Sequence, residues 1–277
     1  MLWRKALFPL GLLVAALISG AFLLLPLVAI FTRIPFATLV DQLGSSVVTD
    51  ALIVSLKTTL IAQALILLFG TPTAYLLATR RFQGRSLAIT LVELPLVLPP
   101  AVAGIGLLAA FGRVGMLGST LDAFGIEIPF TQTAVVLAVA FVASPLYVRQ
   151  AIAAFESVDT SLVDASRTLG AGQGRTFWRI ALPLAMGGLT AGAALAFARG
   201  LGEFGATIMF AGSFQGVTQT LPLAIYGEFE NKFEVALAIS GLLVVISALL
   251  LFVLKIRLGW KSSQSTSPFL FAPTRSS

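Results

Sequence analysis

The sequence predicts an all-α polytopic membrane protein with six transmembrane helices. Three observations carry that expectation. Apolar residues fill 57% of the 277 positions and charged residues only 11%, with a mean hydropathy of +0.98; a soluble chain of this length needs far more polar surface. Six apolar runs each exceed the roughly 20 residues that carry a helix across the hydrocarbon core. The basic residues between these runs fall almost entirely on alternate loops.

In chain order, Arg4 and Lys5 precede the first run, residues 6–31. It is far longer than the core of a signal peptide and lacks a convincing cleavage site, so it reads as a span. The second covers residues 51–78, the third 86–111, the fourth 133–155, the fifth 184–210 and the sixth 235–256. Ser144-Pro145 should kink the fourth, because proline removes a backbone donor and crowds the preceding turn. Gly188 and Gly192 on the fifth form a small-xxx-small pair that permits close helix approach, in a static bundle or a rocking one. The expected organisation is an N-terminal helix with its external loop over 1–44, a transmembrane domain over 45–257, and a cytoplasmic, disordered, serine-rich tail over 258–277.

Charge sets the orientation. Of eighteen Lys and Arg, thirteen lie in the N-terminus, residues 79–86, residues 149–182 and the C-terminus; the opposite set holds only Arg33, Arg113 and Lys232. The positive-inside rule then places both termini and residues 149–182 in the cytoplasm. Asp41, Asp50, Asp122, Glu127, Glu228, Glu230 and Glu234 collect outside. The net charge of +6 is spread over loops rather than gathered on one polar face, so nucleic acid is not an expected partner, whereas the lipid bilayer is.

The absence of Cys and His excludes disulfides, thiol catalysis and the usual zinc sites. The chain has no G-x-x-x-x-G-K-[ST] loop, no Ser/His/Asp arrangement and no metal-spaced carboxylates. It is therefore not expected to be an enzyme. Apart from Arg149 and Lys255, counted above with the cytoplasmic segments, four charges remain within the spans: Lys57, Glu93, Arg199 and Glu203. Each costs about 2.5–3.5 kcal/mol at a helix centre, so each should face protein or water. Arg199 and Glu203 stand four apart and can pair on one helix face, as a packing pair or in a pathway. Lys57 can snorkel from the outer end of its helix. Glu93, ahead of Pro95, Pro99 and Pro100, is not placed by the sequence.

The most polar stretch runs from Asp164 to Pro183. Val158, Leu162, Ala165 and Leu169 make one apolar helix face. Asp159 or Thr160 can cap its start, and Gly170 can take the left-handed conformation that closes it. Gly172 and Gly174 should loosen the chain before Phe177, Trp178 and Ile180. Such a helix can lie in lipid headgroups or press against another protein.

Its spacing carries a resemblance. Asp164-Ala165-Ser166, three residues, Gly170, nine residues and Ile180-Ala181-Leu182-Pro183 resemble the EAA loop of permease subunits of ATP-binding-cassette importers, with Asp in place of Glu and Ser in place of the second Ala. The resemblance implies a type I importer permease fold, with the helix seated in a groove of a cytoplasmic ATPase. Asp164, Ala165, Arg167, Leu169, Gly170, Ile180, Leu182 and Pro183 would be the coupling residues. It implies no cofactor in this chain, with ATP and Mg bound by the ATPase.

Two further stretches, residues 202–212 (Gly202-Glu203-Phe204-Gly205-Ala206-Thr207 through Gly212) and residues 218–226 (Thr218-Gln219-Thr220-Leu221-Pro222 through Tyr226), resemble permeases of molybdate transporters more than the related sulfate permeases. That likeness implies a homodimer in the cell inner membrane, two ATPase subunits and an extracytoplasmic molybdate-binding protein. Molybdate, tungstate and sulfate are all tetrahedral dianions, and the residues alone do not separate them. Arg199, Glu203 and Thr207 are candidate pathway residues; Arg199 would give a positive potential that Glu203 weakens. Residues 212–232 would form an external docking surface or outer gate, or a re-entrant segment. A secondary transporter should show an internal repeat, and none is clear. A membrane enzyme should show convergent reactive side chains.

Overall fold

The computed structural model describes residues 2–33 and 35–262. Of the tail expected to be disordered over 258–277, residues 258–262 continue the last helix and the rest lies outside the described residues. The described chain is all helical: α1 (Leu2–Thr32), α2 (Phe36–Leu43), α3 (Ser46–Thr79), α4 (Arg85–Val97), α5 (Pro100–Phe111), α6 (Gly118–Ala123), α7 (Gln132–Glu156), α8 (Thr160–Thr168), α9 (Gln173–Thr176), a π-helical turn (Phe177–Ala181), α10 (Leu182–Leu201), α11 (Gly205–Ala211), α12 (Leu221–Phe229) and α13 (Phe233–Ser262). The first, second, fourth and sixth predicted spans correspond to α1, α3, α7 and α13. From Gly11 onward, the α1 side chains are exposed apart from half-buried Gly20 and Ile30, as expected of a lipid-facing helix. Residue Pro145 lies inside α7, which continues through it.

Two predicted spans are not single helices. The third breaks between α4 and α5, which meet at 113°. Leu98 precedes Pro99-Pro100 and is extended, with φ −66° and ψ 133°, because a following proline disfavours the helical region. The fifth begins earlier than predicted, at Gln173, and its long helix ends at Leu201. The chain then passes through Gly202 and Glu203 before α11 starts. Glu203 Oε1 accepts a hydrogen bond from the Ala206 N–H at 2.8 Å, so a carboxylate within an apolar run satisfies a first-turn N–H of a new helix. Arg199 and Glu203 are therefore not successive turns of one helix.

The chain divides into two compact units. One takes the chain up to Thr58, Gly104–Val135 and Leu201–Ile246. Its core joins Val48 and Ala51 of α3, Leu221 and Ala224 of α12, and Val235 and Ile239 of α13. Leu221 and Leu223 are fully buried, and the Ser55 hydroxyl accepts from the Leu221 N–H at 2.7 Å. The Leu221-Pro222-Leu223 stretch is thus packed into this unit, while Phe214, Gln215, Val217, Tyr226, Phe229 and Glu230 of segment 212–232 are exposed.

The other unit takes Thr59–Ala103, Val136–Gly200 and the chain from Ser247. Its core gathers Ile66, Ala74 and Leu77 of α3, Tyr147 and Ala151 of α7, and Ala185 and Leu189 of α10. The small-residue pair works as predicted: a Cβ on Gly188 would stand 2.5 Å from Ala154 Cβ, and one on Gly192 would stand 2.9 Å from Gln150 Cβ. Nothing lies within 4 Å of a Cβ on neighbouring Gly187. Gly188→Val is therefore expected to destabilise by about 1–3 kcal/mol through overpacking, whereas Gly187→Ala is expected to be neutral or slightly stabilising. Thermal unfolding in detergent checks the pair; equal midpoints would refute close packing at Gly188.

Candidate functional site

The predicted coupling residues form one local assembly in the second unit. Asp159 caps α8, its carboxylate accepting from the Ser161 N–H at 2.9 Å. That hydrogen bond holds the Asp159 carboxyl below its ordinary value. At the other end Gly170 has φ 82°. The Gly170 N–H donates to Arg167 O at 2.9 Å and the Ala171 N–H to Ser166 O at 3.0 Å, the paired bonds of a Schellman ending. Both caps read from the sequence are present.

The helix presents its apolar stripe outward. Leu162 is 47% exposed and Leu169 88% exposed, and Ala165, Asp164 and Arg167 are also exposed. Facing inward instead is Ser166, whose hydroxyl lies 2.9 Å from that of buried Thr176; Thr176 also donates to Gly172 O at 3.2 Å. Sequence reading treated Ser166 as a small replacement for alanine and passed over Thr176. Only their contact across the Gly170 turn reveals the pair.

The second half of the motif packs against the first: α8 meets both α9 and the π-helical turn. Helix resumes at Gln173, earlier than the loosened chain expected from Gly172 and Gly174. Arg80 donates to the Gln173 side chain at 3.2 Å. The π-helical turn has a local cause. Pro183 has no N–H and its ring crowds the carbonyl four residues back, so the backbone widens and the Leu182 N–H bonds Phe177 O, five residues away. Ile180 and Leu182 are half-buried and Pro183 is exposed.

Arg85 supports this assembly. Its Nε donates to Leu77 O, near the end of α3, at 2.6 Å, and a terminal nitrogen donates to Glu156, the last residue of α7, at 2.6 Å. Arg85 and Glu156, with Arg81, Asp164 and Arg167, line a cavity of about 480 Å³ beside α8. No sequence signal marked Arg85 beyond its charge, because its partners are distant in the chain.

The remaining in-span charges are placed. Glu93 pairs with Arg149 at 3.7 Å. Lys57 Nζ donates to Gln132 at 2.8 Å. Arg199 is half-buried near the end of α10, and Glu203 and Thr207 are buried in the first unit. Thr207 is 0% exposed, and its hydroxyl has no hydrogen-bond partner among the described residues.

Comparison with known proteins supplies the family. Residues 66–258 match the family described as binding-protein-dependent transport system inner membrane component. The chain is 44% identical over 234 residues to the Mycobacterium tuberculosis molybdenum transport system permease protein ModB, covering 84% of this chain and 89% of that one. It is 47% identical over 178 residues to ModB of Escherichia coli K12, covering 64% and 78%. To the Synechococcus elongatus sulfate transport system permease protein CysW it is 33% identical over 250 residues, covering 87% of each. Among solved structures it is similar to a bacterial ABC transporter involved in alginate import, with TM-score 0.64 and 17% identity, covering 96% of this chain and all of that one. A chain of the methionine ABC transporter MetNI matches with TM-score 0.58 and 19% identity, covering 77% and 95%. The fold is that of a type I importer permease, and the chain belongs to the family of binding-protein-dependent transport system inner membrane components.

Proposed function

We propose that this chain is the permease subunit of an ATP-driven molybdate importer, and that two copies form the translocation pathway. The carrying observation is its 44% identity, over most of its length, to a molybdenum transport permease, against 33% over a similar length to a sulfate permease. The exposed stripe on a helix fixed by side chain and backbone at both ends supports α8 as the element that docks on a cytoplasmic ATPase. Asp164, Ala165, Arg167, Leu169 and Gly170 supply the docking face. Ile180, Leu182 and Pro183 lie where the helix packed against α8 runs on into α10, so a push on α8 reaches the bundle through its contacts with α9 and the π-helical turn. Nucleotide and Mg belong to that partner, and an extracytoplasmic binding protein delivers the oxyanion.

Uptake of radiolabelled molybdate by membranes containing this chain, its ATPase and its binding protein tests the reading. Competition by excess sulfate that matches competition by unlabelled molybdate would replace molybdate with a broader oxyanion substrate. The proposed orientation has support in the fold: loops 33–50, 112–131 and 212–232 lie in one unit, and loops 79–86 and 149–182 in the other. Reporter fusions near Arg81 and Gly172 are expected to read cytoplasmic, and those near Asp41, Asp122 and Glu230 external. A cytoplasmic signal at Asp122 would overturn the topology.

A further inference from the structure

The two interrupted spans meet within one unit. A Cβ on Gly104 of α5 would stand 2.7 Å from the Ala206 carbonyl oxygen and from Met209 Cβ of α11, so these helices touch with no side chain between them. Beyond that contact, the Phe111 and Phe210 rings lie 6.4 Å apart, and the Phe130 N–H donates to Phe210 O at 3.3 Å. Phe130 holds a left-handed backbone, φ 60°, which is costly for a residue with a side chain. Helix α11 is seven residues long, with Gly202 before it and Gly212, at φ 67°, after it. It is a short helix with a glycine near either end. Interrupted helices at membrane depth are tolerated where they are buried in protein or line a path for solute.

Thr207 follows Ala206 at this crossing. Its hydroxyl is completely buried and has no partner among the described residues. Such a group costs stability that valine, of nearly the same shape, would not incur. A dianion leaving water needs hydrogen-bond donors, and conduction needs binding favourable enough for entry yet weak enough for release. A neutral hydroxyl meets both requirements. We propose that Thr207 is a hydrogen-bond donor to the translocated tetrahedral oxyanion, hidden in the arrangement seen here and presented to the ion when α11 moves during transport. This inference rests on the oxyanion reading of the permease.

The test compares Thr207→Val and Thr207→Ser in the complete transporter, with ATPase and binding protein, reconstituted in proteoliposomes and supplied with radiolabelled molybdate. Val is expected to lower the maximal uptake rate about tenfold or more, the worth of one hydrogen bond to a charged group. The half-saturating concentration should change little, because the binding protein sets it. Ser is expected to stay within about fourfold, allowing for one lost methyl group. Thermal unfolding of the same preparations separates this role from packing: Val should melt at or above the wild-type temperature. Wild-type uptake by Thr207→Val would overturn the proposal. So would equal losses in Val and Ser accompanied by lower melting temperatures. Wild-type uptake of molybdate itself checks the substrate reading, and the ratio of variant to wild type, with whichever tetrahedral oxyanion the wild type imports, checks Thr207.

Discussion

Gly170→Val is expected to reduce transport to near background while leaving membrane insertion intact. The reason is conformational. Gly170 sits at φ 82°, yet nothing lies within 4 Å of a Cβ placed there. The substitution therefore meets no clash; it meets a backbone region that costs an ordinary residue about 1–2 kcal/mol, and a β-branched one more. Relief of that strain unwinds the turn, breaks the bonds from Gly170 to Arg167 and from Ala171 to Ser166, and turns Leu169 away from its present direction. The Ser166–Thr176 hydroxyl contact spans the same turn and is lost with it. Gly170→Asn is the control, since asparagine tolerates the left-handed region. It is expected to retain most transport and most ATPase in copurification. Equal loss in both variants would place the effect on exposed surface chemistry, and full transport by the valine variant would remove Gly170 from the coupling apparatus.

What the sequence disclosed follows from the range of the interactions involved. Caps are local: Asp159 and Gly170 were readable because each acts within a few residues of itself. Apolar length is also local, so α1, α3, α7 and α13 appeared close to their predicted bounds. Breaks in the third and fifth spans left weaker marks. Pro99 and Pro100 were visible, but a hydropathy run carries no direction and cannot register a bend. Gly202-Glu203 lies inside an apolar stretch, and the bond from the Ala206 N–H to Glu203 depends on the preceding helix having already ended. The short helices α2, α6 and α12 fall below the length that periodicity resolves. Loop charge gives the side of the membrane for segment 212–232 but not burial, and Leu221 is buried by α3 and α13, far away in sequence. Ser166 with Thr176, and Arg85 with Leu77 and Glu156, required the tertiary fold.

Arg85→Met is expected to lower the stability of the second unit by about 2 kcal/mol, with transport falling as the base of α8 loosens. Leu77 O is among the last carbonyls of α3, which have no partner within the helix, and Arg85 Nε supplies one at 2.6 Å. The same guanidinium reaches Glu156 at 2.6 Å and joins the ends of α3 and α7. Hydrogen bonds to charged groups contribute about 1.5–3 kcal/mol. The lower part of that range applies because the two side chains are 32% and 49% exposed and solvent screens them. Methionine keeps the apolar stem, so the loss reports the guanidinium rather than packing. For a chain of this size about 2 kcal/mol corresponds to a fall of roughly 4–8 °C in the melting midpoint. A double-mutant cycle with Glu156→Gln divides the effect. A small coupling energy with an undiminished loss in Arg85→Met would assign the stabilisation to the α3 carbonyl, whereas a coupling near the full loss would assign it to the ion pair. An unchanged melting midpoint in Arg85→Met would show that neither bond holds the base of α8.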